Sequence, residues 1–353
     1  MILFRADANS TLGSGHVMRC LTIASVFRER DFECGFATAD RDAENLIVSR
    51  GFKYYVLDSS WNNLESELPE FQKIVNKISL ELLIIDHYYA TERYIGSLQQ
   101  FSKVAYIDDL NAFDNPADAI INYNIYATSM DYRKRYSGQR TKLLLGPTYA
   151  PLRSEFKNVG EKHVKVHIHD VLVSTGGSDP AGMCIKMLKE LQNTKNCKDT
   201  IFHFIVGALN PNIDEKKELG DSLPNVVIHE NVTRMDELMK MCDLAISAAG
   251  STQYELCACG TPTVNYVLAD NQIPGAEGFE KAELMINAGD CRSQENFAAR
   301  LLSLTYELAD NYDKRLQMSR AMQRLVDGKG AERVVDELTS MMKQGHHVVY
   351  YRN

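Results

Sequence analysis

The sequence predicts an α/β protein made of two doubly wound, Rossmann-like domains with a cleft between them. Short apolar segments alternate with segments of helical periodicity through most of the chain, which is typical of parallel sheets covered by helices on both faces. The length of 353 residues exceeds what one hydrophobic core usually accommodates. The alternation stops near residues 150–168, where Pro151, Gly160 and a polar run indicate a linker.

The N-terminal domain, predicted over residues 1–155, contains seven strand-like segments. They are short and mainly apolar, and they lie at residues 1–5, 33–38, 54–57, 82–86, 104–108, 119–122 and 142–145. Helical patterns lie between several of them, for example at residues 41–50 and 91–101. This order predicts a parallel sheet with helices on both faces.

The C-terminal domain, predicted over residues 165–330, repeats the scheme. Strands are expected at residues 171–174, 202–206, 226–229, 244–247 and 263–266, and helices at 180–192, 234–241, 251–259 and 276–288. Two further helical segments follow, at residues 292–324 and 330–343, and either is a candidate to return and brace the first domain. Residues 331–353 are predicted to form a C-terminal helix and a loosely held tail.

Composition excludes several classes of protein. The net charge of -8 and the lack of a basic block argue against a nucleic-acid partner. No apolar run is long enough to cross a bilayer, and the first seven residues carry charges, so we expect a cytoplasmic protein without membrane insertion.

Eight cysteines without a Cys-x-x-Cys pair indicate free thiols. The histidines at 163, 167 and 169 fit a polar edge better than a metal site, so we expect no metal and no cofactor.

The most informative motif is the loop that follows the first strand. It contains Gly13 and Gly15 and leads into a helix that begins near His16. The glycines allow a sharp turn and a close approach of the backbone to a ligand. A helix start offers unpaired N–H groups, so a titratable imidazole there is suited to chemistry on a phosphorylated molecule.

A second group of polar residues ends the predicted strand at residues 82–86. Asp86, His87, Tyr88 and Tyr89 follow an apolar run, and ligands bind at the carboxyl ends of parallel strands. The alternative is that Asp86 caps the next helix and that the tyrosines pack.

Two turns in the second domain resemble anion sites. Each joins a strand to a helix through small residues: Gly176, Gly177 and Ser178 in one, and Ala249, Gly250 and Ser251 in the other. We expect the helix of the first turn to start at Pro180, with Ser178 or Asp179 as its N-cap. Glu255 lies one helical turn beyond Ser251 and is a candidate to hold ribose hydroxyls. A helix cap with a surface carboxylate explains either turn taken singly.

With these residues in view, the chain resembles the PseG family, hydrolases that remove UDP from UDP-2,4-diacetamido-2,4,6-trideoxy-β-L-altropyranose during pseudaminic acid synthesis. The resemblance rests on the opening motif Arg-Ala-Asp-Ala…Gly-x-Gly-His-Val-Met-Arg, on Asp86-His-Tyr88, on the two turns of the second domain and on Asn271-Gln272. That family is similar to the MurG glycosyltransferases and shares their GT-B fold, with two Rossmann-like domains.

The resemblance implies that His16 is the catalytic residue. It implies a sugar site and a UDP site, the sugar site made of Gly13, Gly15, Arg19, Asp86, Tyr88, Asn271 and Gln272, and the UDP site made of Gly176, Gly177, Ser178, Ala249, Gly250, Ser251 and Glu255.

The implied reaction is metal-independent hydrolysis of the UDP-sugar, by water attack at C1 with inversion, as a step toward a nonulosonic acid of a bacterial surface glycan. A MurG-like transferase, a hydrolase of a related UDP-diacetamido-trideoxyhexose and a non-catalytic sugar-nucleotide sensor remain alternatives. The small-molecule substrate is the expected partner, and the oligomeric state is left open, with a monomer as the default.

Overall fold

The computed structural model describes residues 1–9, 11–177, 179–194, 199–207 and 212–343. The chain forms two compact units. Unit 1 comprises Met1–Leu152 together with Lys329–Asn353, and unit 2 comprises Arg153–Gly328. The segment predicted as a linker therefore groups with unit 2 from Arg153 onward, and the predicted separate C-terminal segment groups with unit 1.

Unit 1 is built on a seven-stranded parallel sheet in the order β3-β2-β1-β4-β5-β6-β7. All seven predicted strands are confirmed within one residue at each end: β1 (Ile2–Ala6), β2 (Cys34–Thr38), β3 (Lys53–Val56), β4 (Leu82–Asp86), β5 (Lys103–Ile107), β6 (Ala119–Asn122) and β7 (Lys142–Leu145). Five helices accompany the sheet: α1 (Gly15–Glu29), α2 (Glu44–Val48), α3 (Leu68–Val75), α4 (Glu92–Leu98) and α5 (Tyr132–Arg135). Because β1 and β4 are neighbours, the residues that follow them meet at one edge of the sheet.

Unit 2 is built on a six-stranded parallel sheet in the order β10-β9-β8-β11-β12-β13. Five strands were predicted: β8 (Asp170–Ser174), β9 (Ile201–Val206), β10 (Val226–Glu230), β11 (Leu244–Ala248) and β12 (Thr263–Val267). The sixth, β13 (Ile286–Asp290), was missed because the predicted helix at 276–288 runs into it. This edge strand pairs with β12 and reads Ile-Asn-Ala-Gly-Asp, so it lacks the apolar signature of the buried strands.

The helices of unit 2 also refine the sequence prediction. They are α6 (Met183–Asn193), α7 (Ile213–Asp221), α8 (Met235–Met241), α9 (Thr252–Cys259), α10 (Ile273–Lys281), α11 (Phe297–Ala309) and α12 (Tyr312–Leu325). The segment 292–324 was predicted as one helix, but it is interrupted between α11 and α12. Asn311 caps the second of these helices, because its side-chain oxygen accepts a hydrogen bond from the Lys314 N–H at 3.0 Å.

The last described helix, α13 (Gly330–Lys343), returns to unit 1. The Lys103 ammonium donates to the Met341 carbonyl at 2.9 Å, and Lys142 forms an ion pair with Glu337. Of the two candidate segments, the second therefore braces the first domain. The tail beyond residue 343 lies outside the described residues. Among the described helices, none has the length and apolar character that a membrane span requires.

Candidate functional site

The loop between β1 and α1 brings His16 to the carboxyl edge of the unit 1 sheet. Gly13 has a φ of +71°, and its N–H donates to the Asn9 carbonyl, which closes the turn. Gly15 is the first residue of α1, so His16 lies in the first helical turn as predicted. The backbone at both glycines borders open space, since a Cβ at either would meet no atom within 4 Å. Only 6% of the His16 surface remains exposed.

His16 and Asp86 form a buried pair. The Nδ1 atom of His16 lies 2.6 Å from Oδ1 of Asp86, whose side chain has no exposed surface. Burial opposes ionisation of Asp86, but the charges of Arg19 and His16 outweigh it and hold the pKa of Asp86 well below its usual range. An ionised carboxylate only accepts hydrogen bonds, so Nδ1 of His16 carries a proton. Nε2 is then the nitrogen that can take a proton from a ligand.

Arg19 is held between two carboxylates. It contacts Asp86 through Nε and Nη2, both at 2.5 Å, and Asp109 through Nη2 at 2.9 Å. Its Nη1 atom also donates to the Tyr123 hydroxyl at 2.9 Å. Because its donors are engaged and Asp86 is fully buried, neither residue presents a polar group to a sugar in this structure. The sugar-binding role of Arg19 and Asp86 stays a prediction, and the contacts seen here connect both residues to Nδ1 of His16.

Tyr88 completes the exposed part of this site. Its ring contacts the His16 ring edge-on, with centroids 4.6 Å apart, and 36% of the residue is exposed. The Tyr88 hydroxyl donates to Oδ2 of Asp109 at 3.2 Å. Tyr88 thus contacts both His16 and Asp109, and its role in binding a sugar stays a prediction.

A second buried network lies next to the His16 pair. Arg5 binds Glu67 through Nε at 2.6 Å and contacts Asp7 through Nη1 at 2.8 Å, while Nε2 of His87 lies 3.2 Å from Asp7. The His87 and His16 rings are stacked, with centroids 6.4 Å apart. Burial opposes ionisation of Asp7, but the hydrogen bond from His87 and the charge of Arg5 lower its pKa to about 2.

Sequence reasoning left Asp7, Asp109 and Tyr123 out of the site. All three follow or end strands at the same edge as His16, so position after a strand was the signal that could have found them.

In unit 2, three turns converge at the carboxyl ends of the adjacent strands β8, β11 and β12. A Cβ at Gly176 would lie 3.9 Å from the Leu268 side chain, and one at Gly250 would lie 3.9 Å from the Gln272 amide nitrogen. Oε1 of Gln272 accepts a hydrogen bond from the Leu268 N–H at 2.9 Å. The structure thus places Gly250 close to Gln272 and Gly176 close to Leu268, whereas the Asn271 side chain is exposed.

The first of these turns differs from the prediction. α6 begins at Met183 rather than at Pro180, and the Asp179 carboxylate accepts hydrogen bonds from the N–H groups of Met183 at 2.8 Å and Cys184 at 3.1 Å. These two N–H groups are therefore already bound to an anionic side chain. Gly176 and Gly177 remain at the end of β8, and Ser178 lies outside the described residues.

The second turn retains an uncapped helix start. Ser251 is the N-cap of α9, and no side chain caps this helix among the residues that the structure describes. Glu255 lies in the first turn of the helix and accepts two hydrogen bonds from Arg153, both at Oε1, at 3.0 and 3.3 Å. Burial raises the pKa of Glu255, and the Arg153 charge opposes this shift. The Gln253 and Tyr254 N–H groups donate to the carbonyls of Gly250 and Ser251, so the N–H groups of Ser251 and Thr252 are the ones suited to an anion.

Among the described residues, no three His, Cys, Asp or Glu side chains are grouped so that they could hold a metal ion. Cys257 and Cys259, which lie close in sequence, are both buried in the core.

Part of the chain matches a known family model, and the whole chain is similar to several known proteins. Residues 171–335 match the model of the glycosyltransferase family 28 C-terminal domain. The chain is 26% identical over 350 residues to the spore coat polysaccharide biosynthesis protein SpsG of Bacillus subtilis, covering 96% of this chain and 98% of that protein. It is 25% identical over 239 residues to the UDP-2,4-diacetamido-2,4,6-trideoxy-β-L-altropyranose hydrolase of Campylobacter jejuni, covering 66% and 80% of the two chains.

The fold is also found in solved structures. The crystal structure of MurG from Acinetobacter baumannii matches with a TM-score of 0.68 at 12% identity, covering 96% of this chain and 99% of that one. The two parallel sheets are therefore those of the GT-B fold, as predicted.

Proposed function

We propose that this protein hydrolyses UDP-2,4-diacetamido-2,4,6-trideoxy-β-L-altropyranose to UDP and the free sugar, as a step in pseudaminic acid synthesis. The observation that carries the proposal is the buried pair of His16 and Asp86 beside the exposed ring of Tyr88. This pair supplies an oriented general base at a strand edge where ligands bind in α/β sheets. The similarity to the Campylobacter hydrolase supports the choice of substrate.

The reaction follows from the orientation of the imidazole. A water oxygen attacks C1 of the sugar, its proton passes to Nε2 of His16, and the bond between C1 and the β-phosphate oxygen breaks. The bonding electrons leave with UDP, and attack from the opposite face inverts the anomeric centre. Asp86 stabilises the imidazolium that forms, and a base positioned in this way contributes about 10²–10⁴-fold in rate.

Unit 2 supplies the nucleotide site in this proposal. The match to the family 28 domain covers the sheet of unit 2, and the start of α9 offers the backbone N–H groups of Ser251 and Thr252 to the diphosphate. Both hydrogen bonds from Arg153 go to Oε1 of Glu255. Oε2 is therefore the oxygen that accepts hydrogen bonds from the ribose hydroxyl groups in this proposal. The same N–H groups stabilise the charge that develops on the departing diphosphate.

A transferase is the second candidate, and the match to a glycosyltransferase domain model is the observation that favours it. A transferase would use the same base on the hydroxyl group of an acceptor instead of on water. The two activities are therefore separated by whether UDP is released when no acceptor is present.

The test follows both products by proton NMR. The purified protein is incubated with the UDP-sugar and a chelator, without an acceptor. We expect free UDP and the free sugar, which first forms as the inverted anomer. An unchanged substrate that still binds would contradict hydrolysis and favour the transferase.

The variant His16→Ala tests the role of the base. We expect turnover to fall by at least about 10²-fold while UDP affinity, measured by calorimetry, stays within about twofold. His163→Ala, which removes an exposed histidine of unit 2, is the matched control. Retention of most activity by His16→Ala would exclude the assigned role.

A further inference from the structure

An aromatic surface lies beside the candidate site in unit 1. Trp61 contacts Tyr89 edge-to-face, with ring centroids 5.4 Å apart, and Tyr89 is 47% exposed. Trp61 is the sole tryptophan of the chain. Large aromatic side chains that stay half-exposed next to a polar site commonly serve in binding, since their burial releases water from apolar surface.

The loop that carries Trp61 is firmly attached to the fold. The Ser59 hydroxyl donates to Oε2 of Glu67 at 3.0 Å, and Glu67 is the buried partner of Arg5. Ser60 and Asn63 form an antiparallel bridge on either side of Trp61. The aromatic surface is therefore held in place before any ligand binds, which reduces the entropy lost on binding.

The aromatic surface is connected to the His16 site through the buried ring of His87. Tyr89 contacts the buried His87 ring at 5.9 Å, and His87 in turn stacks on His16 at 6.4 Å. The Tyr89 N–H donates to Nδ1 of His87 at 3.1 Å, and the Tyr106 hydroxyl donates to the His87 carbonyl, so this contact is fixed. One ring, that of His87, thus lies between His16 and Tyr89 in this chain of contacts, and Trp61 follows Tyr89.

We propose that Trp61 and Tyr89 select the sugar by contacting the methyl groups at its C4 and C5 positions. This inference rests on the proposed function, in which C1 of the sugar lies at Nε2 of His16. A surface one ring beyond the base then faces the side of the sugar that is remote from C1. In a 2,4-diacetamido-2,4,6-trideoxy sugar that side carries an acetamido methyl and the C6 methyl, whereas in N-acetylglucosamine it carries hydroxyl groups.

The physical reason for selection is that methyl and hydroxyl groups differ in the free energy of leaving water for contact with an aromatic surface. A methyl group gains from leaving water, whereas a hydroxyl group there loses hydrogen bonds with water. One methyl-sized difference in an apolar site discriminates by about 10–200-fold. We therefore expect affinity for the trideoxy sugar nucleotide to exceed that for UDP-N-acetylglucosamine by at least about tenfold.

Tryptophan fluorescence of the whole protein reads this contact directly, because Trp61 is the sole source of the signal. The probes are UDP, UDP-N-acetylglucosamine and the UDP-diacetamido-trideoxy sugar, each recorded by stopped flow within the first turnover. We expect the trideoxy sugar nucleotide to change the emission and UDP to leave it unchanged. An equal change with UDP, or no change with any probe, would overturn the proposal.

The variant Tyr89→Ser provides the second measurement, with Val48→Ser as a control that removes an exposed apolar side chain elsewhere in unit 1. We expect Tyr89→Ser to raise the KM for the trideoxy sugar nucleotide about tenfold with little effect on kcat or on UDP affinity. Equal weakening of all three probes would overturn the selection. If the emission responds but NMR detects no released sugar, the hydrolase proposal fails while this contact stands.

Discussion

The replacement of Asp86 by asparagine tests how the structure prepares His16. Oδ1 of Asp86 receives His16 Nδ1 at 2.6 Å and Arg19 Nη2 at 2.5 Å, and Oδ2 receives Arg19 Nε. An amide has one acceptor oxygen and one NH₂ group, so in either orientation an N–H group faces a donor. The variant also loses the charge that stabilises the imidazolium.

Two magnitudes follow from these contacts. We expect kcat to fall by about 10²–10⁴-fold, because both the tautomer of His16 and its protonated form lose their support. Removing one partner of a buried ion pair costs about 3–5 kcal/mol of stability. Arg19 keeps Asp109 at 2.9 Å and the Tyr123 hydroxyl, so we expect a smaller loss of about 2–3 kcal/mol.

Asp109→Asn is the matched control, because Asp109 binds the same arginine but has no contact with His16 among the described residues. Urea unfolding should give comparable losses of stability for the two variants, whereas kcat should fall by about tenfold or less in the control. The ¹⁵N chemical shifts of the His16 ring report its tautomer in the absence of substrate. Equal losses of kcat in both variants, with an unchanged His16 tautomer, would refute the reasoning.

The remaining predictions concern stability and nucleotide binding. The pKa of Asp7 is lowered to about 2, so its ionised form contributes about 2 kcal/mol that is present above about pH 4 and is lost as the pH falls toward 2. The difference in unfolding free energy between the wild type and Asp7→Asn should therefore shrink over that range, and a constant difference would contradict it. Gly328→Ala should destabilise the protein by more than about 2 kcal/mol, because its Cβ would lie 2.2 Å from the Phe156 carbonyl oxygen at a φ of +76°. Gly138→Ala has a similar φ of +79° with no atom within 4 Å, so it should cost only about 1 kcal/mol in the same urea assay. Glu255→Gln should weaken UDP binding about tenfold by calorimetry, and unchanged affinity would remove ribose recognition from this residue.

Much of the fold was predictable because strands and helices leave patterns of apolar and polar residues over short stretches of sequence. Buried parallel strands are continuous apolar runs, so twelve of the thirteen strands that the structure describes were located from sequence within one residue at each end. The sequence analysis did not predict β13, because an edge strand needs fewer apolar residues and the polar residues of β13 resembled the end of the preceding helix. The break between α11 and α12 depends on a single capping residue, Asn311, inside an otherwise helical pattern.

The sequence by itself determined that His16 begins a helix at a strand edge and that Tyr88 and Glu255 follow strands at such edges, because these positions depend on neighbours within a few residues. Only the tertiary structure decided which groups pair. Asp86 is 70 positions from His16 in the chain, and it reaches the imidazole because β1 and β4 are adjacent in the sheet. The same holds for Arg19, which binds the carboxylates of Asp86 and Asp109, and for α13, which packs on the first unit from the far end of the chain. Strand order is a long-range property that sequence periodicity does not encode, and it is strand order that brought His16 and Asp86 together as a buried pair.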